Sequence, residues 1–499
     1  MDFLGCTLFL VLYYIRPHEW LPMLEALHPI TFAMVLGMVG LVFRQRGLNP
    51  RGFFKTPHDW LMLAYFLWIA IFVPAESDSF ATVRNMFIVY FVAVQVLYNR
   101  ERLQKYLHWW AGLLFVLSML ALLSEMGIDP LDSNYLTHYV QKGRLSVNLS
   151  IFNNPNALGH TVVNLVPMLY FLLIWRRPVF VKEVGALLLV FPLWCLYLTQ
   201  SKGAFLAGFG AAVVALSFGR PKYIQILVLA LAVTAGWAGI QQLPRMQQLE
   251  QTKKDEGIQG RLAAWRWGYQ VMQEQSKGIG LFRFGSTFEK ANGYFKGPHS
   301  SYVEVGTEQG INGLFLFLAV LYCCVRTLVT ARVQDEEMER LRRILMVMLV
   351  CYLLSSWMIG WGYRTTFYLL VACIAAFHRL VMQEQEQTAR AVAESETAGA
   401  QVEQTAVIGQ PVPEPALAPL PLAWQTSQGV SGGAWAMAST GEEDLPPATS
   451  DETAATAPPS FWSRFSLVRW RRPGLLDLAV TYGLLRLVLH VWNYVTRTF

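Results

Sequence analysis

Charged side chains are scarce in this sequence. They make up 15% of the 499 residues, against about a quarter in soluble domains, which excludes an ordinary soluble enzyme. Cysteine is sparse as well. The six cysteines (Cys6, Cys195, Cys323, Cys324, Cys351, Cys373) all lie in apolar runs, with no spacing that suits paired disulfides or a zinc site. There is no carboxylate cluster with metal-ligand spacing and no internal repeat. Gly278, Gly280 and Gly285 lie in a flexible stretch that follows no strand and opens no helix, so it is not a nucleotide loop. What the chain has in quantity is apolar surface: 54% hydrophobic residues, with 17 Trp and 30 Phe. This is the composition of an all-α polytopic membrane protein.

A hydrocarbon core of about 30 Å needs roughly 20 apolar residues in helical form. Twelve runs are candidates, near 3–15, 30–43, 58–75, 83–98, 106–126, 159–175, 184–200, 203–219, 224–243, 310–329, 344–361 and 366–382. The first has no basic n-region and no small-residue cleavage site, so it reads as a retained helix. One set of alternate connectors carries 17 Lys and Arg and the other short connectors carry six, which puts the richer set and both termini in the cytoplasm. The connector 244–309 carries nine more Lys and Arg and falls on the periplasmic side as a large, partly helical loop.

Residues 1–382 therefore form the membrane domain. Residues 383–460, rich in Ala, Glu, Thr and Pro, read as a disordered cytoplasmic linker. In 461–499, Arg486, His490, Asn493 and Arg497 recur at helical spacing opposite Leu, Val and Trp. That pattern suggests an amphipathic helix lying on the inner leaflet, with a thirteenth span as the alternative.

Ionisable groups near membrane depth are functional candidates by default, and several gather at the outer ends of the helices. Lys202 sits in the tight reversal Thr199-Gln200-Ser201-Lys202-Gly203. In the large loop, Arg261 and Trp265 are four apart and share a helical face, with Arg266 about 100° further round. His299 follows Pro298, a residue suited to the first turn of a helix. There the positive pole of the dipole would keep the imidazole neutral and able to accept a proton. The segment 127–158 offers Gly143-Arg144 and Phe152-Asn153-Asn154-Pro155-Asn156. Each feature alone also suits a snorkelling lysine, an interfacial helix or a solvated loop.

Together these stretches resemble the O-antigen ligase and polymerase family of bacterial envelope glycosyltransferases. Ser201-Lys202-Gly203-Ala204 is similar to the family's Ser-Arg-Gly-Ala. Arg261 and Trp265 match its Arg and Trp one turn apart, and His299-Ser300-Ser301-Tyr302 with Gly310 and Gly313 matches its His-Asn-aromatic and Gly–Gly pattern. The stretch from Phe152 to Asn156 also looks like the family, and the likeness spans roughly 130–380. Two positions depart from it: Lys202 stands where Arg is usual, giving a point charge in place of a bidentate fork, and Ser300 replaces the usual Asn.

The resemblance implies a GT-C-like fold of about 12 transmembrane helices in the bacterial inner membrane, with the active site facing the periplasm. It implies a donor glycan on undecaprenyl diphosphate and an acceptor hydroxyl on lipid A-core, glycan or protein. It implies no cofactor, no nucleotide sugar, no metal and no nucleic acid partner. Fixed cations would stabilise the leaving diphosphate, with Lys202, Arg261, Arg266 and Arg144 as candidates beside Trp265 and Asn156. His299 would be the general base. Ligase and polymerase stay open, with a lean to ligase. A polysaccharide flippase is the reading from another class, and a multi-pass acyltransferase would be expected to lack the basic outer loop.

Overall fold

The computed structural model describes residues 1–45, 53–72, 77–242, 256–407 and 470–498. Residues 244–255 of the large loop and 408–469 of the tail, together with Arg46 and Arg51, lie outside the described residues. Among the described residues there is no strand. The chain divides into two compact units, Met1–Gln385 with Phe465–Phe499, and Glu386–Arg464.

The first unit begins with α1 (Asp2–Tyr14), α2 (Pro29–Gln45), α3 (Pro57–Phe72), α4 (Asp78–Val96) and α5 (Arg100–Glu125). Next come α6 (Pro155–Ile174), α7 (Val179–Thr199), α8 (Lys202–Ser217) and α9 (Lys222–Gln242). The shorter α10 (Glu256–Glu274) and α11 (Phe284–Asn292) lead into α12 (Ser301–Thr330), α13 (Glu336–Ser355) and α14 (Thr365–Val407). The last helix is α15 (Leu475–Thr498). Many of these helices start where a short polar side chain accepts a backbone N–H of the first turn, as Ser77, Asn99, Asn154, Ser201, Ser300 and Asp335 do.

Each of the twelve apolar runs overlaps a helix. Among the described residues, eight helices are long and apolar enough to cross a membrane, α15 among them, and Asp2–Tyr14, Pro57–Phe72, Lys202–Ser217 and Lys222–Thr234 are shorter apolar helices. Helix α13 is not among the eight because Glu336, Glu337, Glu339, Arg340, Arg342 and Arg343 fill its first turns. The helices run up and down, which gives the bundle two ends. Asp2, Asn99, Arg326 and Asp335 mark one, here the far end. Tyr13, Asn154, Ser201, Ser300 and Arg364 mark the other, the site end. Helix α14 is almost wholly buried over its apolar stretch, with Phe367, Tyr368 and Phe377 packed among Tyr65, Phe317 and Tyr352.

Three expectations change. The helix that carries Arg486 packs against α12 and α10 within the first unit. Asp477, near its start, pairs with Arg326 near the end of α12, while Trp492 and Thr496 meet Trp265 and Arg266 at the site end. Helix α15 thus runs antiparallel to α12, with Asp477 towards the far end and Thr496 at the site end. Its buried face is Asp477, Thr481, Leu485, Trp492 and Thr496. Asp477 and Trp492 are satisfied by neighbouring helices, and the Thr481 and Thr496 hydroxyls by carbonyls of α15 itself, which a reading from amphipathicity alone cannot distinguish from headgroup contact.

Secondly, the linker expected from 383 begins as helix, since α14 continues to Val407. Ala, Glu, Gln and Arg dominate that extension and are strong helix formers. Thirdly, the glycine stretch 278–285 is pinned. Ile279 N–H donates to the Thr307 carbonyl (3.1 Å) and Gly280 N–H to the Glu308 carbonyl (2.9 Å). The Glu308 carboxylate accepts from the amides of Phe282 and Phe284, both at 2.9 Å. Those bonds meet α12 where it breaks at Gly310, whose φ of 69° and ψ of −174° suit only glycine.

Candidate active site

At the site end, a cavity of about 270 Å³ opens between α1, α6, α12 and the α13–α14 turn. Tyr13, Phe152, Asn153, Asn154, Asn156, His299, Glu304, Trp361 and Arg364 are among its walls. The volume lies near the lower end of the roughly 300–1,000 Å³ typical of small-molecule pockets. Two residues singled out from sequence, His299 and Asn156, face it directly.

His299 is not on a helix. Ser300 caps α12 by accepting the Val303 N–H, and donates its own hydroxyl to the Ser356 carbonyl (3.1 Å), so Pro298 and His299 precede the helix. The His299 backbone is left-handed, with φ 44°, an uncommon state for a residue with a β-carbon. Its imidazole is held down to about pH 4 by burial first, then by the charges of Arg261 and Lys296. The ring is therefore neutral at physiological pH, as the sequence suggested, but burial and two cations replace the helix dipole as the cause.

The other chosen residues surround this point at different distances. Arg144 donates to the Asn156 side-chain oxygen (2.8 Å) and to the Thr199 carbonyl (3.1 Å), so it ties the cavity wall to the reversal that carries Lys202. Lys202 is the first residue of α8, behind the left-handed Gln200 (φ 49°). Gly203 has no β-carbon because one would lie 2.9 Å from His160 Nε2 and 2.8 Å from Met358 Cβ. Arg261, on α10, acts electrostatically on both His299 and His160. Four residues on, Trp265 is buried and its indole N–H donates to the Pro298 carbonyl (2.7 Å). Trp265 thus supports the His299 loop from beneath and does not wall the cavity. Arg266 is elsewhere: its Nε donates to the Thr496 carbonyl of α15 (2.7 Å).

Several site residues were not chosen from sequence. Glu304 stands on the first turn of α12, takes the Gly362 N–H (3.3 Å) and feels the charge of Arg364. It lay in the stretch from His299 to Gly313, and only its one-turn offset from Ser300 marked it. Arg364 was counted as a connector charge and nothing more. His160, buried with Nδ1 2.8 Å from the Ser355 hydroxyl and edge-on to Trp361, sits four residues after Asn156. That spacing, in an otherwise apolar helix, was the available signal. Among the described residues, no group of three or more His, Cys, Asp or Glu side chains is placed to hold a metal ion.

Residues 186–318 match the family model described as O-antigen ligase. Over that stretch the chain is similar to the O-antigen ligase family. The segment contains Lys202, Arg261, Trp265, Arg266 and His299 but not Arg144 or Asn156. With the apolar helices, the match suits a multi-pass membrane protein that resembles glycan-transferring ligases and polymerases over this segment. No curated protein matches the chain.

Proposed function

We propose that this O-antigen ligase-type protein transfers a glycan from undecaprenyl diphosphate to an acceptor hydroxyl at the periplasmic face of the bacterial inner membrane. The site end then faces the periplasm, and the N-terminus is cytoplasmic. His299 takes the proton of the acceptor hydroxyl as its oxygen attacks the anomeric carbon. The glycosidic bond to the diphosphate breaks, and the diphosphate leaves carrying the electron pair. One observation carries the reading: a neutral imidazole opens on a polar cavity with the Arg261 charge beside it.

A polyprenyl diphosphate is already a good leaving group, so what it needs is relief of its developing charge. Arg261, Lys202 and Arg144 supply that relief. Two unit charges 4 Å apart attract by about 4 kcal/mol at an effective dielectric of 20, so two or three cations provide the stabilisation that other transferases draw from a metal. The same geometry accounts for a low resting basicity that rises in use. Once a diphosphate neutralises Arg261, the charge that depresses His299 is offset, and the imidazole becomes a better base only when the donor is bound.

The decisive experiment is His299→Ala in reconstituted vesicles, with membrane insertion and undecaprenyl diphosphate binding measured alongside. Transfer should fall by about 10²–10⁴-fold with binding retained; a variant that transfers at the wild-type rate overturns the assignment. Ligase and polymerase separate by what accumulates in a deletion strain: long chains on carrier lipid for the first, single repeat units for the second. Precursor trapped on the inner side would favour a flippase.

A further inference from the structure

We infer that Trp492, on the C-terminal helix α15, is a positioning residue for His299, so that a segment beyond the O-antigen ligase match completes the transfer site. The inference rests on the reading of His299 given above.

The argument follows a chain of two hydrogen bonds. The Trp492 indole N–H donates to the Trp265 carbonyl (2.9 Å), and the Trp265 indole N–H donates to the Pro298 carbonyl (2.7 Å). The Pro298 carbonyl belongs to the peptide plane whose nitrogen is that of His299. Fixing that plane fixes the axis about which the His299 φ of 44° is set. A left-handed backbone at a non-glycine residue persists only where its surroundings over-determine it, and the two hydrogen-bonded tryptophans do so here.

The seat of Trp492 is built for it. Its side chain is fully buried. Its ring lies edge-on to Tyr269, 5.5 Å between centroids, and a β-carbon at Gly306 would come within 3.0 Å of it. Four residues on, the Thr496 carbonyl takes the Arg266 guanidinium, so α10 is held to α15 at two successive turns. At the other end of the same helix, Asp477 accepts from Arg326 and from the Trp470 indole (2.9 Å). The family match ends at residue 318, and α15 begins at Leu475.

The test uses the full chain with Trp492→Phe, which keeps an aromatic ring against Gly306 and Tyr269 and removes the N–H. Transfer from the native lipid-linked glycan should lose kcat by about 10- to 100-fold, the scale of a small misplacement of a reacting group. Binding of undecaprenyl diphosphate, the probe for the donor end, should stay within about twofold. Amide exchange over 294–300 should rise several-fold, with 311–330 unchanged. Should Trp492→Phe insert poorly, Arg266→Gln, at an exposed side chain, serves in its place with a smaller change in the same direction. Wild-type kcat and exchange in whichever variant inserts overturn the inference, as does a loss that tracks the amount of folded protein alone. His299→Ala, run in parallel, separates the two ideas: if it still transfers, the general-base reading has failed, whereas if only the α15 variants are silent, that reading stands and Trp492 is mere packing.

Discussion

The two ends of the bundle use the same residue types in opposite ways. At the far end, cations meet carboxylates. Asp2 takes Arg44 (3.0 Å) and Arg102 (2.8 Å), Asp59 takes Arg379 (2.9 Å), and Glu339 takes Arg342 (2.6 Å) and Arg343 (2.7 Å). Buried Arg340 joins Glu336 and Glu337. At the site end Arg16 meets Glu19 and His138 lies 3.3 Å from Glu125, but Arg144 donates to a carbonyl and to the Asn156 amide oxygen, while the carboxylates of Glu304 and Glu308 accept backbone N–H groups. The buried carboxylates of the far end neutralise the arginines beside them, whereas Glu304 and Glu308 at the site end are engaged by backbone amides.

Breaking that contrast at the site end should have the largest effect. Arg261→Ala removes a cation beside His299, and transfer should drop about 10²-fold or more if it stabilises the leaving diphosphate, with expression and melting temperature near wild type. Arg261→Lys should recover part of the rate, because a point charge remains but a planar fork does not. If Arg261→Ala melts the protein and leaves turnover per folded molecule intact, the two ends do not differ in the way argued.

The mirror experiment is at the far end. Asp59 is fully buried, and besides Arg379 it accepts from the Tyr90 hydroxyl and from Thr56. Arg379→Met strands that carboxylate, which costs about 3–5 kcal/mol when a buried pair loses one partner. Thermal unfolding in detergent should show the loss, and the double variant Asp59→Asn with Arg379→Met should recover much of it. Transfer per folded molecule should be unchanged in both.

Much of the fold was legible in the sequence, because helical spans follow from apolar runs, and motif order grouped Arg261 with His299, whose ring feels the Arg261 charge. What the sequence could not show was which polar groups point at each other across helices. The stripe Arg486–His490–Asn493–Arg497 announced an amphipathic helix correctly, but only contact with α12 and α10 shows that Asp477 and Trp492 are its buried face. Arg261 and Arg266 lie on different faces of one helix, and a backbone carbonyl of α15 takes Arg266. Glu304 and Arg364 are 60 positions apart and meet only because α12 and the α13–α14 turn close on one cavity.

pH sharpens the comparison with a smaller effect. His299 has a depressed value of about 4 in the free protein, so its neutral form is fully present above pH 5 and is lost as pH falls through 4. The rate kcat/KM, which reports the free enzyme, should be flat from pH 5 to 7 and fall about tenfold per unit below 4. The limb in kcat, which reports the bound state, should lie higher, because the diphosphate offsets the Arg261 charge. Coincident limbs would mean that the donor does not bind beside Arg261.

The smallest effect belongs to the exposed rim of the far end. Arg100 and Asp335 pair at 2.7 Å with both side chains more than a third accessible, and such pairs are worth about 0–1 kcal/mol. Arg100→Gln should therefore shift the melting temperature barely and transfer not at all. Asp335→Ala should cost more than Arg100→Gln, since Asp335 also caps α13 by accepting the Met338 N–H (2.9 Å) and losing a cap costs about 0.5–2 kcal/mol. The difference between those two variants isolates the cap from the ion pair. If they are equal, the pair and not the cap anchors the first turn of α13, and the far end's carboxylates matter more as counter-charges than as helix starts.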